Sequence, residues 1–468
     1  MAINRAHPLI QRIDKFLYSP AYFLYIGGLT ILANVFCQEL MAYTLLLLTG
    51  IYICLLARDL LPLLPIFACG YISPSLGNNP GFNDNSIFSV GGGGLYLAAL
   101  LVVLAGILVY RLITDPVIGG KAFLTKKRTL LSGMLLLSAT YVLSGLGSGQ
   151  WAEYGWKNLL FAFLQFVAVA GLYYLLSGGV RWDLAPKAYL FWTGVCVGYV
   201  LVAELVGIYI TNDVIVDGAI FRDNIRAGWG HYNNMGAYFA MMIPLPFFLT
   251  GKGKYAGFAY VSSIVFYLAL LFTCSRGSMI VGTVIFVAGY VLSLVHSRHA
   301  RLQKVVHSTV IVVIALCLAV FSEKILELFR VFGGLGIGSP ERMETYVEGM
   351  KQFLKFPIFG GSFFPVDFQP HAWASSESFL SLFPPRWHNT FVQVLATGGV
   401  VCLVGYLVHR VQTVKMFVKD YSEDKLFAGL SVLALLMASM VDCHFFNVGP
   451  VLFYSATLAF VECKMGKK

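Results

Sequence analysis

Long apolar runs separated by short charged segments follow one another along almost the whole chain. The runs are about 16–22 residues long, the length at which a helix crosses a bilayer core. We therefore predict an all-α, polytopic transmembrane helical bundle of about 12–14 spans. The fourteen runs in the pattern lie at approximately residues 20–37, 41–57, 59–74, 94–110, 129–147, 158–177, 189–211, 235–250, 256–274, 278–296, 308–323, 391–408, 426–443 and 448–463.

Composition supports this class. The chain is 58% hydrophobic and 12% charged, whereas a soluble chain would carry about twice that charged fraction. The basic N-terminus is followed by no small-residue cleavage site, so no cleavable signal peptide is expected. Basic residues in a membrane protein mainly set its topology, so the net charge of +10 indicates no nucleic-acid partner.

The distribution of lysine and arginine orients the predicted bundle. With the N-terminus in the cytoplasm, 23 of the 33 basic residues fall on cytoplasmic segments, as the positive-inside rule expects. The other face carries a loop of about 65 residues, from Lys324 to Asn389, and loops of that length are usually functional. We divide the chain into three regions. Residues 1–211 form an N-terminal transmembrane bundle, and residues 212–425 form the core, which contains the extracytoplasmic loop 324–390. Residues 426–468 form the C-terminal spans and a cytoplasmic tail.

Part of the long loop has a helical pattern. Ser339-Pro340-Glu341 is a good helix start, because it offers a hydroxyl N-cap, a proline in the first turn and then an acid. Apolar residues recur at helical spacing up to Leu354, and Pro357 ends the run. We predict an amphipathic helix from Pro340 to Lys355 that lies on the outer membrane surface.

Four polar pieces are predicted to face outward. They are residues 222–234, residues 275–278, Arg342 with residues 355–361, and residues 387–393 around His388. Arginine grips phosphate through two bonds, and histidine, whose ordinary pKa is near neutrality, can take a proton from an acceptor hydroxyl. Each residue taken singly also fits a structural role, such as an arginine that snorkels to headgroups. Their placement on one face favours a site for an anion such as a pyrophosphate on a lipid carrier.

The chain resembles a known family at these same pieces. It is similar to the O-antigen ligase and O-antigen polymerase family in an ordered set of residues: Arg226, His231-x-Asn233-Asn234, Ser275-Arg276-Gly277, Glu341-Arg342 through Pro357-x-x-Gly360, and His388-Asn389-x-x-x-Gln393-x-x-Ala396-x-Gly398-Gly399. The resemblance covers about residues 220–410, and the first six spans match in hydropathy alone. Members usually have about twelve spans, so a count of fourteen departs from the family pattern.

The resemblance implies an inverting, metal-independent glycosyltransferase that needs no cofactor. Its donor would be a polyprenyl-diphosphate-linked glycan, its acceptor a glycan, lipid or protein, and its place the plasma (inner) membrane with the active site facing outside. The expected catalytic residues are His388, Arg276 and Arg226, and the expected substrate-binding residues are Arg342, Arg222, Asn233, Asn389 and Gln393. Arg226 is preferred to Arg222 as the family arginine because Gly228 and Asn233 follow it at better spacing.

Two alternatives stay open. The loop sequence does not separate a surface polysaccharide polymerase, which adds to another lipid-linked chain, from a ligase, which transfers to a different acceptor. A glycolipid flippase or other transporter is the rival of another class. Its support is Glu204, a carboxylate inside the seventh predicted span that would suit a proton relay. Transporters bind near the membrane midplane between repeats, and no repeat is visible here.

Overall fold

The protein is almost entirely α-helical, which confirms the predicted all-α class. The computed structural model describes residues 7–36, 38–70, 94–115, 128–149, 151–180, 188–216, 219–227, 230–251, 255–296, 305, 309, 312, 340–363, 386–419 and 422–464. The helices are α1 (Pro8–Leu17), α2 (Pro20–Val35), α3 (Glu39–Leu56), α4 (Leu63–Gly70), α5 (Gly94–Thr114), α6 (Leu131–Val142), α7 (Trp151–Gln165), α8 (Leu172–Gly179), α9 (Tyr189–Thr211), α10 (Tyr232–Met242), α11 (Pro244–Leu249), α12 (Ala256–Phe272), α13 (Arg276–His296), α14 (Pro340–Lys355), α15 (Thr390–Val418), α16 (Glu423–Ala438) and α17 (Val448–Lys464).

Short elements occupy three of the connections. Two antiparallel hairpins of two-residue strands follow α9, and a 3-10 turn separates them: β1 (Ile215–Val216), β2 (Ala219–Ile220), Arg222–Asn224, β3 (Arg226–Ala227) and β4 (Gly230–His231). A π-helical turn, Phe166–Gly171, joins α7 to α8, and a second 3-10 turn, His444–Phe446, precedes α17. The connection between α16 and α17 therefore lies outside regular α-helix, and it contributes to the site described below.

Helix length gives fewer spans than the apolar pattern does. Among the described residues, five helices are long and apolar enough to cross a membrane, or six if the pair α1–α2, bent by 70°, counts as one span. Predicted spans 59–74 and 235–250 contain only short helices, the second being divided into α10 and α11 before Pro244. The predicted span 308–323 lies outside the described residues, apart from two single positions. The two counts differ in part because an apolar run can also form a shorter helix, and four apolar helices of 10–17 residues are present among the described residues.

The predicted span 391–408 lies within one long apolar helix, Thr390–Val418, which is kinked inside the span. Gly399 has φ of 63° and ψ of −161°, which divides α15 into two helical segments. The rings of Phe391 and Tyr406 are 5.5 Å apart, although fifteen residues of straight helix would span about 22 Å. The part of α15 before Gly399 therefore folds back toward the part that follows the kink.

A neighbouring segment satisfies the backbone groups that the kink releases. The N–H of Val401 donates to the carbonyl of Ile358 at 3.2 Å, and the N–H of Gly361 donates to the carbonyl of Ala396 at 2.8 Å. A Cβ atom at Gly399 would lie 2.4 Å from the Ile358 carbonyl oxygen. Gly399 thus permits a close approach between the backbones of α15 and the segment at Ile358, which a residue with a side chain would prevent.

The predicted loop helix is confirmed with the same bounds, Pro340–Lys355. This helix, α14, packs against α15, and α10 packs against α13 and α16. The side chains described on α10 and α11 are all buried, so these helices form the centre of the bundle. The starts of α10, α13 and α15 and the end of α16 consequently meet beside α14.

Candidate active site

His388 faces a buried carboxylate. Its Nδ1 atom lies 3.3 Å from Oδ1 of Asp442, in the connection between α16 and α17. The His388 side chain is 37% exposed, whereas that of Asp442 is 5% exposed. A carboxylate beside Nδ1 favours the tautomer with its proton on Nδ1, which leaves the Nε2 lone pair free to accept a proton. The pair has the arrangement of a general base, His388, that is oriented by a carboxylate, Asp442.

The backbone at His388 adopts an uncommon conformation. Its φ is 53°, in the left-handed region that few non-glycine residues occupy. The hydroxyl of Tyr346 on α14 donates to the His388 carbonyl at 3.1 Å, and Nδ2 of Asn389 donates to the Met440 carbonyl at 2.8 Å. The helix α14 and the connection after α16 thus hold the strained residue in place, as is common at functional sites.

Asn389 and Gln393 fix the loop to the start of α15. Oδ1 of Asn389 accepts from the backbone N–H groups of Phe391 at 2.8 Å and Val392 at 3.2 Å, which makes it the N-cap. Oε1 of Gln393, which is 1% exposed, accepts from the N–H of Trp387 at 3.0 Å. The structure brings both predicted substrate-binding residues to the site, where these bonds hold Trp387 and Asn389 and thereby position His388 between those two residues.

Asp442 is held in its ionised form. Its Oδ1 accepts from the N–H of Cys443 at 2.7 Å, and its Oδ2 accepts from Nδ2 of Asn233 at 3.0 Å. Burial by itself would raise the pKa of Asp442, but contact with His388 and the positive charge of Arg386 outweigh burial. They hold the pKa of this carboxyl well below its usual range, so the group is a carboxylate near neutral pH.

A line of buried hydrogen bonds continues from Asp442 to the turn before α13. Oδ1 of Asn233 accepts from Oγ of Ser275 at 2.9 Å, and Oγ of Ser278 lies 3.0 Å from Oγ of Ser275. A Cβ atom at Gly236 would lie 2.8 Å from the Cβ atoms of both serines, so glycine is what lets the two helices approach. We call the following four residues the polar chain: His388, Asp442, Asn233 and Ser275.

Three arginines gather at the end of the polar chain. Arg276 is the first residue of α13, and the positive charges of Arg222 and Arg342 act on it. The Arg222 guanidinium lies 5.5 Å from the centroid of the Tyr232 ring, and Nη1 of Arg342 donates to the Val441 carbonyl at 3.2 Å. In the described part of the chain, neither Arg222 nor Arg342 has a carboxylate within ion-pair distance. Like charges this close repel one another, and an anion among them would relieve the repulsion.

The choice between Arg222 and Arg226 stays a prediction. Arg226 is in β3, where its backbone pairs with that of His231, and its side chain is outside what the structure describes. Arg222, in the turn before β3, is the one whose guanidinium is placed near Arg276.

Sequence reasoning missed Asp442 and left Arg386 unassigned. Arg386 donates to Oδ1 of Asn447 at 2.6 Å and to Oδ1 of Asn234 at 3.3 Å, close to Asp442. The sequence does contain a signal that could have identified Asp442: it is an acidic residue at the end of an otherwise apolar run, immediately before Cys443 and His444. Among the described residues, no group of three or more His, Cys, Asp or Glu side chains is placed to hold a metal ion.

The fold and the site define a multi-pass helical membrane protein with a histidine–aspartate pair beside clustered arginines. The family model described as O-Antigen ligase matches residues 258–407. This match covers about a third of the chain and confirms the resemblance to the O-antigen ligase and polymerase family over those residues. The matched range contains Arg276, Arg342 and His388 and ends before Asp442. No curated protein matches the chain.

Proposed function

We propose that the protein is a membrane glycosyltransferase that transfers or polymerises glycans from a polyprenyl-diphosphate-linked donor on the extracytoplasmic face. It would serve as a surface polysaccharide ligase or polymerase. The observation that carries this proposal is the His388–Asp442 pair beside Arg276 and Arg342. A base next to clustered cations suits attack by a hydroxyl and departure of a diphosphate.

In the proposed reaction, His388 activates the acceptor. Its Nε2 atom takes the proton of an acceptor hydroxyl while that oxygen bonds to the anomeric carbon of the donor sugar. The bond from the same carbon to the diphosphate oxygen breaks, and polyprenyl diphosphate leaves with the electron pair. Asp442 stabilises the imidazolium through Nδ1, as a buried carboxylate does beside a catalytic histidine.

The arginines are proposed to bind the leaving group. Arg276, with Arg226 or Arg222, neutralises the charge that grows on the diphosphate, and Arg342 provides a further phosphate or sugar contact. These side chains can do for the diphosphate what a metal ion does elsewhere, so we propose that the reaction is metal-independent. One base acting in one displacement, without a covalent sugar–enzyme step, inverts the anomeric centre.

The face of the membrane is testable by labelling. The 23-to-10 division of basic residues favours a loop outside the cytoplasm. Cysteines introduced at Ser339 and Ser375 should therefore react with an impermeant reagent in intact cells, and one at Ser422 should not. Labelling of Ser422→Cys from outside would reverse the orientation and move the site to the cytoplasmic face.

The proposed function itself is tested by product release. Cells that lack the protein should accumulate the lipid-linked glycan, which can be extracted as the donor. The purified protein should then form one glycosidic bond for each polyprenyl diphosphate released, and Asp442→Asn should reduce both products together. Movement of the donor across vesicles without release of polyprenyl diphosphate would instead favour the transporter.

A further inference from the structure

We propose that Asn233 is a positioning residue for this reaction, which aligns the Asp442 carboxylate with His388 and ties it to the turn that carries Arg276. The inference rests on the proposed function. It gives Asn233 a role other than the substrate contact that the sequence predicts. In this role one side chain fixes the base and the diphosphate-binding arginine relative to each other.

The amide of Asn233 is used by the protein at both ends. Its Nδ2 donates to Oδ2 of Asp442 at 3.0 Å, and its Oδ1 accepts from Oγ of Ser275 at 2.9 Å. The residue is 7% exposed. A side chain so enclosed, with a partner on each side, is placed to hold its neighbours rather than to meet a sugar.

The chemistry of the partners requires an amide at this position. An ionised carboxylate only accepts hydrogen bonds, so Oδ2 of Asp442 needs a donor, and the Ser275 hydroxyl can donate to Oδ1 of Asn233 as well as to Oγ of Ser278. Among side chains of this size, asparagine supplies both a donor and an acceptor. An aspartate would bring a second carboxylate to Asp442, and a leucine would remove the hydrogen bonds to Oδ2 of Asp442 and from Ser275.

Two further contacts extend the alignment to the arginines. Ser275 immediately precedes Arg276, and Cys274 before it has φ of 54°, so the turn is held in an uncommon conformation. The carbonyl of Val441, immediately before Asp442, accepts from Arg342. The Val441 side chain packs closely against Gly277, because a Cβ atom at Gly277 would lie 2.6 Å from Cγ1 of Val441. The Asn233 amide therefore lies between the two backbone segments that carry the charged groups of the site.

The first test is Asn233→Ala, assayed with the lipid-linked glycan extracted from cells that lack the protein. The loss of a hydrogen bond to a charged group should lower kcat by ~10–100-fold, with KM for the donor changed by less than about threefold because the arginines remain. The carboxyl of Asp442 would lose a donor, so its pKa should rise and activity should be lost at a higher pH as the solution is acidified. The titratable and charged groups around Asp442 that stay in place are His388, His444, Arg386, Cys443 and Tyr346.

The second test, Asn233→Asp, has a signature that a structural role would not produce. Two carboxyls that share a site ionise one after the other, and the second has a raised pKa. While the introduced carboxyl is protonated it can donate to Asp442 as asparagine does, so activity should persist at the lower pH. Activity should then fall as pH rises and the second carboxyl ionises, an alkaline loss that the parent protein lacks.

Asn158 offers a matched control. It is also fully buried, its Nδ2 donates to the Ser144 carbonyl at 2.9 Å, and its Oδ1 accepts from Ser362 at 3.2 Å, without contact to the polar chain. Asn158→Ala should lower thermal stability and leave the pH profile of the folded fraction unchanged. If Asn233→Ala yields no folded protein, Ser275→Ala should shift the profile in the same direction by a smaller amount.

Two outcomes would overturn the inference. An unchanged kcat and pH profile in Asn233→Ala would exclude positioning, and a rise in donor KM at constant kcat would restore Asn233 as a substrate contact. Neither outcome affects the proposed function, which fails instead if the purified parent protein moves the lipid-linked donor across vesicles without releasing polyprenyl diphosphate. The two failures are therefore distinguishable in one set of assays.

Discussion

Arginines in the two halves of the protein are used differently. In the N-terminal half, Arg111 on α5 directs its donors at the end of α3. Nη1 donates to the carbonyls of Ile53 at 2.6 Å and Cys54 at 3.2 Å, Nη2 donates to that of Ala57 at 2.5 Å, and Nε lies 3.5 Å from Asp115. The protein itself thus satisfies almost the whole guanidinium, as a structural charge in a membrane protein requires.

Arg342 in the site has a different environment. One donor reaches the Val441 carbonyl, and the nearby charge belongs to Arg276, another cation. A guanidinium offers five N–H donors, and among the described residues one of those on Arg342 has a protein acceptor, so we propose that the others serve a ligand. An arginine with saturated donors supports the fold, whereas the clustered arginines of the candidate site are proposed to bind an anion. Site variants should therefore impair turnover without unfolding, and Arg111 variants should do the reverse.

The largest effect is expected from His388→Ala. Removal of a general base typically costs ~10²–10⁴-fold in rate, and the arginines would still bind the donor. Turnover of the extracted lipid-linked glycan by purified protein measures the loss, and the thermal unfolding of the variant should match that of the parent because the side chain is partly exposed. Parental turnover in this variant would remove the base from the proposal.

The second-largest effect is expected from Arg276→Lys, which also distinguishes a glycosyltransferase from a transporter. Lysine keeps the charge but loses the two-pronged grip on phosphate, so turnover should fall by roughly tenfold for each 1.4 kcal/mol lost in the transition state. Glu204→Gln, at a buried carboxyl of α9, should be nearly silent. Both variants can be assayed in membranes by polymer formation, and a harmless Arg276→Lys beside an inactive Glu204→Gln would favour proton-coupled transport.

The sequence predicted the elements whose signals are local. The bounds of α9 and α14 agree with the predicted ones, because α14 begins at a proline and ends just before Pro357, and α9 is one uninterrupted apolar run. The kink at Gly399 was not predictable from hydropathy, which does not register backbone angles. The short helices α10 and α11 were predicted as one span for the same reason.

The site was predictable only in part. The family pattern gave His388, Arg276 and Arg342, which the structure brings together around the polar chain. It could not give Asp442, because that residue follows an apolar helix far along the chain and reaches His388 only through the packing of α16 beside α15. The protein partners of Asn233 likewise depend on three separate segments, and no single stretch of sequence contains them.

A paired substitution tests the comparison directly and with a smaller effect. Arg342→Lys should lower kcat/KM by about tenfold or less, because lysine keeps the positive charge and loses only some of the guanidinium donors that would contact the ligand. The thermal stability of this variant should equal that of the parent. Arg111→Lys should leave the activity of the folded fraction unchanged. Its free energy of unfolding should drop by about 2 kcal/mol or more, because hydrogen bonds from a charged group to buried carbonyls are lost. Equal effects of both variants on stability would break the distinction between the two halves.

The smallest effect, none at all, is expected from chelation. In the proposed reaction Arg276 and its neighbours neutralise the diphosphate as it leaves, so a divalent cation has no charge left to stabilise. Incubation with a chelator should therefore leave the initial rate unchanged, both for the parent and for Arg342→Lys. A chelator-sensitive rate that magnesium or manganese restores would mean that a cation completes the site. The clustered arginines would then act as donor-binding groups beside a metal rather than in place of one.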